Sequence, residues 1–373
     1  MDDIRVLVLS ESYPTNDGKR DMYYVHSRNL YYKEHSVHVD VLNFSTKKEY
    51  LIDGIKVFGI RYFKEKYINE KYDILVLHAA NIKHHYRFLK KYGSGFLRFV
   101  FFFHGHEVFR CSKVYSKPFD YVKQKSILYR LTEDVYDIFK LKLWNRTFKK
   151  CLYKSWFVFV SEWMLNEFKR WIKLDENDLN YQYSIIYNCI GNAFEKGNYD
   201  INNSKEYDCI SVRSDFDGSK YGVDIICKLA EKNPEKKFCL IGKGEYFSHK
   251  KKPDNLVIKQ KQISHEEIIK MLNCSRCALM PTRTDAQGVM ACEMATFGIP
   301  LITSDIPVCR EVFKDFVNVR FIDNDNIDSV NIDDLLENLE NSYQEIKIKD
   351  YYSENTNEKE VELLLSLSKK SLV

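Results

Sequence analysis

Short apolar runs of strand length alternate with longer amphipathic segments along the chain. In the first half these runs cover residues 4–9, 37–42, 55–58, 74–77, 99–103, 156–160 and 184–186. A polar stretch interrupts the pattern, which then restarts with runs at 209–212, 238–241, 256–258, 277–280 and 301–303. The alternation predicts parallel strands joined by crossover helices, and therefore an α/β fold.

The interruption divides the chain into two doubly wound, Rossmann-like domains. We expect a first domain over residues 1–196, a linker over 197–206, a second domain over 207–349 and a C-terminal helix within 350–373. A chain of 373 residues with 45% hydrophobic composition is long enough for two cores. Because open parallel sheets bind ligands at the carboxyl ends of their strands, we expect the two sheet edges to face a central cleft.

Composition and charge argue against several classes of protein. Lysine and arginine total 57 against 53 acidic residues, a net charge of +4 that gives no support to nucleic-acid binding. No run approaches the roughly 18 apolar residues that a membrane span requires. The start, Met1-Asp-Asp, is acidic where a signal peptide is basic. Ten cysteines scattered singly are typical of reduced, buried thiols, so a cytoplasmic location is expected.

One cysteine pair, Cys274 and Cys277, has the spacing of a redox or zinc motif. No second pair of cysteine or histidine residues lies nearby in the sequence. Ordinary core cysteines are therefore favoured over a metal site, and chemistry without a metal ion is expected.

The strongest chemical signal is a pair of carboxylates in the second half. Asp285 and Glu293 stand eight positions apart between two predicted strands. Gly288 is expected to open a helix that Gly298 and Pro300 end. The N-terminus of that helix would point unpaired N–H groups at the carboxyl edge of the sheet, where an anion is stabilised. Glu293, about two turns along at roughly 1.5 Å per residue, would hold a more distant part of the ligand, and a sugar nucleotide fits this spacing.

This motif resembles that of the retaining GT-B glycosyltransferases, the group 1 family of bacterial polysaccharide and glycolipid type. Further segments resemble family landmarks in the expected order: Glu11-Ser-Tyr-Pro14 to Gly18, His104-Gly-His-Glu107, Val160-Ser-Glu162, Ile186-Tyr-Asn188, Arg213, Lys220-Tyr-Gly-Val-Asp224 and Phe238-Cys-Leu-Ile-Gly242-Lys-Gly244. The resemblance covers about the whole chain and implies the GT-B architecture.

Two departures from the family pattern are visible. The family usually has glutamate and glycine where this chain has Asp285 and Ala286, and the gap between Arg213 and Lys220 is longer than the commonest spacing.

The resemblance implies roles for individual residues. Arg213 and Lys220 would clamp the donor diphosphate. Asp285 would contact sugar hydroxyls, Glu293 would bind ribose hydroxyls, and His104 would lie near the anomeric centre. The donor site would also include Gly18, Gly242, Gly244, Ala286, Gln287, Gly288 and Val289. The resemblance further implies retention of the anomeric configuration, no metal ion or other cofactor, a UDP- or GDP-sugar donor, and a terminal helix that packs on the first domain.

Two segments combine basic and aromatic residues. One runs from Lys83 to Arg98. The other, up to Trp156, contains Lys123, Lys125, Arg130, Lys140, Lys142, Arg146, Lys149, Lys150 and Lys154, interleaved with Tyr129, Phe139, Leu141, Trp144, Phe148 and Leu152. Basic amphipathic helices of this composition can lie on an anionic membrane surface. A solvated helix whose apolar stripe packs on the sheet explains the same pattern and is favoured. On the membrane hypothesis the acceptor is a lipid-linked saccharide.

These features predict a retaining, metal-independent glycosyltransferase of hexosyl or N-acetylhexosaminyl type. It would transfer a sugar to a saccharide or lipid-linked saccharide in the biosynthesis of a cell-surface polysaccharide, such as lipopolysaccharide or capsule. On the membrane hypothesis, the basic segments would place it on the inner face of the cell membrane. No nucleic-acid partner is expected. A sugar-nucleotide 2-epimerase of the same fold and a non-catalytic protein that binds a sugar nucleotide stay open as alternatives.

Overall fold

The chain divides into two units, each built on its own sheet. The computed structural model describes residues 4–18, 21–122, 127–261, 263–340 and 347–369. Unit 1 comprises Met1–Arg110, Val135–Tyr187 and Ser353–Val373, and unit 2 comprises Cys111–Asp134 and Asn188–Tyr352. Residues 111–134, which we placed in the first domain, thus belong with unit 2. The expected linker, residues 197–206, also lies within unit 2.

The sheet of unit 1 follows the predicted apolar runs. Its strands are β1 (Ile4–Ser10), β2 (Val37–Asn43), β3 (Glu49–Ile52), β4 (Ile55–Phe58), β5 (Ile74–His78), β6 (Arg98–Phe103), β7 (Ser155–Phe159) and β8 (Tyr183–Ile185). They lie in the order β3-β4-β2-β1-β5-β6-β7-β8. The β3 strand pairs antiparallel with β4, and the other pairings are parallel. The pattern did not predict β3, because its side chains are half-buried or exposed at the sheet edge.

The sheet of unit 2 is parallel throughout its described pairings. Its strands are β9 (Tyr207–Arg213), β10 (Phe238–Gly242), β11 (Leu256–Lys259), β12 (Ser275–Met280), β13 (Leu301–Ser304) and β14 (Val319–Ile322). The order is β11-β10-β9-β12-β13-β14. Parallel pairing places the carboxyl ends of β9, β10, β12 and β13 at one edge, which is where the predicted site residues follow. The β14 strand was not predicted.

The helices, in chain order, are α1 (Tyr23–Glu34), α2 (Ile60–Tyr62), α3 (Arg87–Tyr92), α4 (Cys111–Val114), α5 (Ile127–Cys151), α6 (Glu162–Ile172), α7 (Asn192–Lys196), α8 (Val223–Lys232), α9 (Tyr246–His249), α10 (His265–Asn273), α11 (Val289–Phe297), α12 (Pro307–Val312), α13 (Ile332–Glu340) and α14 (Asn357–Lys369). Short 3-10 or π turns cover Phe63–Tyr67, Ile82–Tyr86, Gly93–Gly95, Leu152–Lys154, Ser219–Tyr221, Ile327–Ser329 and Ser353–Asn355. No described helix is both long and apolar enough to cross a membrane.

The predicted helix between the two carboxylates is α11. Gly288 precedes it with φ 78° and Gly298 follows it with φ 100°, both in the left-handed region. Glycine adopts this region without the steric cost that a Cβ atom brings, so the two glycines begin and end the helix as predicted.

The C-terminal helix α14 belongs to unit 1. Val361, Leu364 and Leu367 join the buried core of that unit. The side chain of Glu360 is buried beside Arg28 of α1, with Arg28 Nε 3.0 Å from the carboxylate. Residues 370–373, the end of the helix that we expected within 350–373, lie outside the described part of the chain.

Candidate functional site

Arg213 ends β9 at the carboxyl edge of the unit 2 sheet. Its side chain is 7% exposed, and its Nη2 donates to the carbonyl of Pro281 at 2.6 Å. Its Nε has no hydrogen-bond partner among the described residues. Burial lowers the pKa of Arg213 to about 10, against the opposing effect of the Asp285 charge nearby. The site therefore holds a buried cation whose donors are only partly used.

Lys220 lies on the turn that follows the loop after β9. Its carbonyl accepts from the N–H of Arg283 at 2.9 Å and from Thr282 Oγ1 at 3.0 Å. Its ammonium lies 4.8 Å from the centre of the Tyr221 ring. Among the described residues no carboxylate pairs with this ammonium, so it can serve a ligand.

Arg283 is a site residue that sequence reasoning missed. Its guanidinium donates to both carboxylate oxygens of Asp224, at 2.9 and 2.7 Å, and to the carbonyl of Ser219 at 2.7 Å. A fork of this kind fixes geometry as well as energy. Arg283 thus fastens the Lys220 turn to α8. The sequence holds no signal for this role, because an arginine three residues after a strand is usually solvated.

Asp285 caps the turn that leads into α11. Its Oδ1 accepts from the N–H groups of Ala286 at 2.8 Å, Gln287 at 3.3 Å and Gly288 at 2.9 Å. We expected unpaired N–H groups here, but a short carboxylate side chain folds back on its own loop and satisfies them.

The N–H groups that are available to an anion begin at Val289, one residue after Gly288. Those of Val289 and Met290 open α11 and have no acceptor among the described residues. Such orphan donors at a helix start stabilise negative charge. The anion-binding end of α11 is therefore the Val289 position rather than the loop before it.

The Gln287 side chain holds unit 2 together rather than facing outward. Its Oε1 accepts from the N–H of Asn188 at 2.5 Å, and its Nε2 donates to the carbonyl of Asn188 at 3.1 Å. Both ends of the buried amide are thus engaged with one backbone position. We assigned Gln287 to donor binding, and the structure instead gives its side chain this internal partner.

Glu293 lies two turns along α11 and is 4% exposed. Its Oε1 accepts from the N–H of Gly191 at 2.9 Å, and His265 Nε2 lies 3.9 Å away. Burial raises the pKa of Glu293 to about 7. A Cβ atom at Gly191 would lie 2.5 Å from His265 Nδ1, so any larger residue at this position would displace the His265 ring. Sequence reasoning did not identify His265 or Gly191 as neighbours of the carboxylate.

Gly242 and Gly244 shape the loop after β9. A Cβ atom on Gly242, which has φ 152°, would lie 1.9 Å from the carbonyl oxygen of Arg213. One on Gly244 would lie 2.7 Å from the Cβ of Phe216. The glycine turn after β10 therefore allows the loop that joins the two candidate cations to pack closely against it.

His104 and Gly18 belong to unit 1. His104 Nε2 lies 3.1 Å from Nδ1 of the fully buried His78, so one ring donates to the other. Desolvation lowers the pKa of both rings well below the usual value, which keeps the pair neutral. Gly18 is exposed, has φ 91°, and donates its N–H to the carbonyl of Thr15 at 3.1 Å.

The basic helix α5 has a buried and an exposed side. Leu141, Trp144 and Phe148 are buried in unit 1, which is the packing that the solvated-helix interpretation requires. The exposed positions on the same helix include Val135, Phe139, Lys142, Arg146, Lys149 and Lys150. Lys123 and Lys125, and the side chains of Tyr129 and Arg130, lie outside the described part of the chain.

Comparison with known families finds a match in the second half of the chain. Residues 204–359 match the family described as "Glycosyl transferases group 1". No curated protein matches the chain by sequence.

Several solved structures are similar in fold over nearly the full length. Sucrose-phosphate synthase from Thermosynechococcus elongatus covers 98% of this chain and 99% of its own, with TM-score 0.69 and 12% identity. A glycosyltransferase from Rickettsia africae ESF-5 covers 100% of both chains, with TM-score 0.70 and 12% identity. WaaG, a glycosyltransferase involved in lipopolysaccharide biosynthesis, covers 97% and 99%, with TM-score 0.63 and 14% identity.

These likenesses confirm the predicted GT-B fold with two Rossmann-like sheets. The match of residues 204–359 to the group 1 family of glycosyl transferases agrees with the resemblance and supports glycosyl transfer as the chemistry. The matched range includes Arg213, Lys220, Asp285 and Glu293.

Proposed function

We propose that this chain is a retaining glycosyltransferase that uses a UDP- or GDP-sugar as donor and a saccharide or lipid-linked saccharide as acceptor. The observation that carries the proposal is the buried, incompletely paired guanidinium of Arg213 at the carboxyl edge of the unit 2 sheet. It shares this edge with the turn that bears Lys220. Glu293 lies farther along α11.

The chemistry follows from where charge develops. Departure of a nucleoside diphosphate leaves negative charge on its phosphate oxygens, and donors fixed in advance stabilise that charge most. Arg213 offers a planar fork and Lys220 a point charge. The N–H groups of Val289 and Met290 add oriented dipoles. With two cations in the protein, no metal ion is required for this step.

Retention would proceed with donor and acceptor on the same face of the sugar. The oxygen of the leaving phosphate takes the proton of the acceptor hydroxyl while the new glycosidic bond forms, so no protein base is needed. Glu293 would accept hydrogen bonds from ribose hydroxyls, and Asp285 would reach sugar hydroxyls with the carboxylate oxygen that does not cap its loop. His104, held neutral by burial, would bind near the anomeric centre.

The proposal is tested with UDP-, GDP-, ADP- and CDP-sugars in the presence of EDTA. We expect one nucleotide class to be consumed, with the nucleoside diphosphate released and the anomeric configuration of the product unchanged by NMR. The Lys220→Ala variant should lose activity by orders of magnitude with little change in unfolding. Inversion of the anomeric centre, or loss of activity in EDTA, would contradict the mechanism.

One observation favours binding without transfer as a second candidate. One carboxylate oxygen of Asp285 accepts hydrogen bonds from its own loop. At this position the family usually has glutamate, whose longer side chain could reach farther. Nucleotide binding without any turnover would support this candidate. Formation of a C2-inverted sugar nucleotide without an acceptor would instead indicate an epimerase.

We also propose that the exposed side of α5 holds the enzyme on an anionic membrane surface at the inner face of the cell membrane. Phe139 is 57% exposed, and Lys142, Arg146 and Lys150 lie exposed on the same helix. An exposed aromatic ring beside cations suits the headgroup level of a bilayer. A lipid-linked acceptor would then be within reach.

Sedimentation with vesicles tests this surface. We expect binding to anionic vesicles, little binding to neutral ones, and weaker binding once Lys149 and Lys150 are replaced by serine. Equal binding to both kinds of vesicle, unaffected by the replacements, would contradict the proposal.

A further inference from the structure

Residues 111–122, here called the strap, belong to unit 2 although the chain reaches them from β6 of unit 1. Phe119 and Tyr121 pack against the core of unit 2. Phe119 meets the Tyr246 ring edge-on with centroids 5.0 Å apart, and Tyr121 stacks on His249 at 4.4 Å. Ring contacts with α9 thus hold the strap on this unit.

Two hydroxyl groups of the strap reach loop 214–219. Tyr121 Oη donates to Asp217 Oδ1 at 2.6 Å. The hydroxyls of Ser116 and Ser219 lie 2.8 Å apart, within hydrogen-bond distance. Because the carboxylate is charged, the first of these bonds is of the stronger kind. The strap therefore holds the loop at its middle and at its end.

This loop is the segment that separates Arg213 from Lys220, and it is longer than the spacing usual in the family that the sequence resembles. A longer loop costs more conformational entropy to order. Asp217 offsets this cost through two hydrogen bonds, since its Oδ2 also accepts from the N–H of Glu245 at 2.8 Å. The extra length is thus used for contacts that fix the loop.

The strap also meets Lys220 directly. The centre of the Tyr115 ring lies 5.8 Å from Lys220 Nζ. This contact is additional to the closer one with Tyr221. Thr284 Oγ1 donates to the carbonyl of Val114 at 3.0 Å, which ties the strap to the residue before Asp285. Both segments that would surround a diphosphate therefore touch the strap.

We propose that the strap is a positioning element for the diphosphate clamp. Tyr121 and Ser116 hold loop 214–219 so that Lys220 is already placed when the donor arrives, which lowers the ordering cost of binding. The inference rests on the proposed function, because it needs a nucleoside diphosphate at this edge. Tyr121 acts through the loop and touches no substrate.

A double-mutant cycle with Tyr121→Phe and Lys220→Met tests this role. Phenylalanine keeps the ring stacked on His249 and removes only the hydroxyl. We expect Tyr121→Phe to weaken UDP or GDP binding about tenfold, as for loss of a hydrogen bond to a carboxylate. Binding of the matching nucleoside, uridine or guanosine, should not change. In the Lys220→Met background the same change should have less than about a twofold effect, because the group that it positions is gone.

Two further variants complete the design. Asp120→Asn removes an exposed ion pair between the strap and Lys250, 2.8 Å long, that does not involve loop 214–219. It should alter UDP or GDP binding by less than about twofold. Ser116→Ala should weaken it in the same direction as Tyr121→Phe, and serves as the second probe if the tyrosine variant folds poorly.

The outcomes separate this inference from the proposed function. If Tyr121→Phe weakens diphosphate and nucleoside binding equally, or keeps its full effect with Lys220→Met, the strap is only structural and the inference is wrong. The proposed function would still stand in that case. If the wild-type protein binds no nucleoside diphosphate, the proposed function fails and the strap has no clamp to position.

Discussion

Each unit buries an arginine and a glutamate, but only unit 1 pairs them. There, Arg28 Nε donates to both carboxylate oxygens of Glu360, at 3.0 and 3.2 Å, and the Tyr32 hydroxyl donates to the same carboxylate. In unit 2, Arg213 donates to a carbonyl oxygen and Glu293 accepts from a backbone N–H. Among the described residues, no carboxylate lies within ion-pair distance of Arg213, and no lysine or arginine lies within ion-pair distance of Glu293.

The pKa values follow this difference. Burial lowers the pKa of Arg28, but the Glu360 carboxylate together with the Tyr32 and Tyr24 side chains more than offsets this, and the net shift is upward. For Arg213 burial prevails and lowers the pKa to about 10, and it raises that of Glu293 to about 7. Buried charges without partners cost free energy. We infer that unit 1 uses its pair for stability, whereas unit 2 keeps its charges for a ligand.

The largest expected effect is on the stability of unit 1. Arg28→Met leaves the Glu360 carboxylate buried without its cation, which should lower the free energy of unfolding by about 3–5 kcal/mol. Urea denaturation measures this. The double variant Arg28→Met, Glu360→Leu removes both charges and should recover most of the loss. A single variant within about 1 kcal/mol of wild type would mean that the pair is not structural.

The matched change in unit 2, Arg213→Met, should have the opposite profile. Removing a buried charge that lacks a carboxylate partner should leave the free energy of unfolding within about 1 kcal/mol of wild type. The loss of phosphate stabilisation should lower kcat/KM by about 10²–10³. Steady-state kinetics and urea denaturation on the same preparation check both. A large stability loss with activity retained would reverse the comparison.

The pH dependence of stability sharpens the contrast at the glutamates. The pKa of Glu293 is raised in the folded state, from 4.5 to about 7. The protonated side chain therefore contributes fully to the stability of the folded state below pH 4.5, and this contribution is lost as the pH rises through 7. Glu293→Gln cannot titrate. We therefore expect the variant to gain about 2 kcal/mol of stability relative to wild type between pH 5 and 8.

Denaturation of both proteins across this pH range measures the difference. A nucleoside diphosphate should bind the wild type more tightly at pH 8 than at pH 6, because in our proposal ribose hydroxyls donate to the ionised carboxylate. A constant difference between variant and wild type over the whole range would show that Glu293 is ionised throughout.

The smallest expected effect concerns the cap at Asp285. Asp285→Ala removes the acceptor for three backbone N–H groups. It should cost about 1 kcal/mol of unfolding free energy. Asp285→Asn keeps an oxygen acceptor and should cost less than half as much, while both variants lose the charge that we propose faces the donor sugar. Equal stability of the two variants by thermal denaturation would argue against the cap.

Most of the fold could be predicted because most of its strands are short apolar runs that are largely buried. The β3 and β14 strands were missed since each mixes exposed or half-buried residues with apolar ones. The bounds of α11 could be predicted from Gly288 and Gly298, whose backbone angles only glycine adopts easily. Here local chemistry determined local structure.

The contacts around the site could not be predicted in the same way. Tyr121 and Asp217 are 96 positions apart in the sequence, and no local pattern links them. Asn188, the partner of Gln287, is 99 positions from it. Such partners depend on how the chain returns to the sheet edge, which hydrophobic spacing does not encode.

Thermal melting of wild type and Arg213→Met with UDP, GDP, ADP and CDP, each in EDTA, tests the central claim most directly. A ligand that binds only the folded state adds about 2.7 kcal/mol of stability at a hundred times its Kd. The claim that unit 2 keeps its buried charges for a nucleotide predicts that one base raises the Tm of wild type by several degrees and that of the variant far less. No shift with any nucleotide, or equal shifts in both proteins, would contradict it.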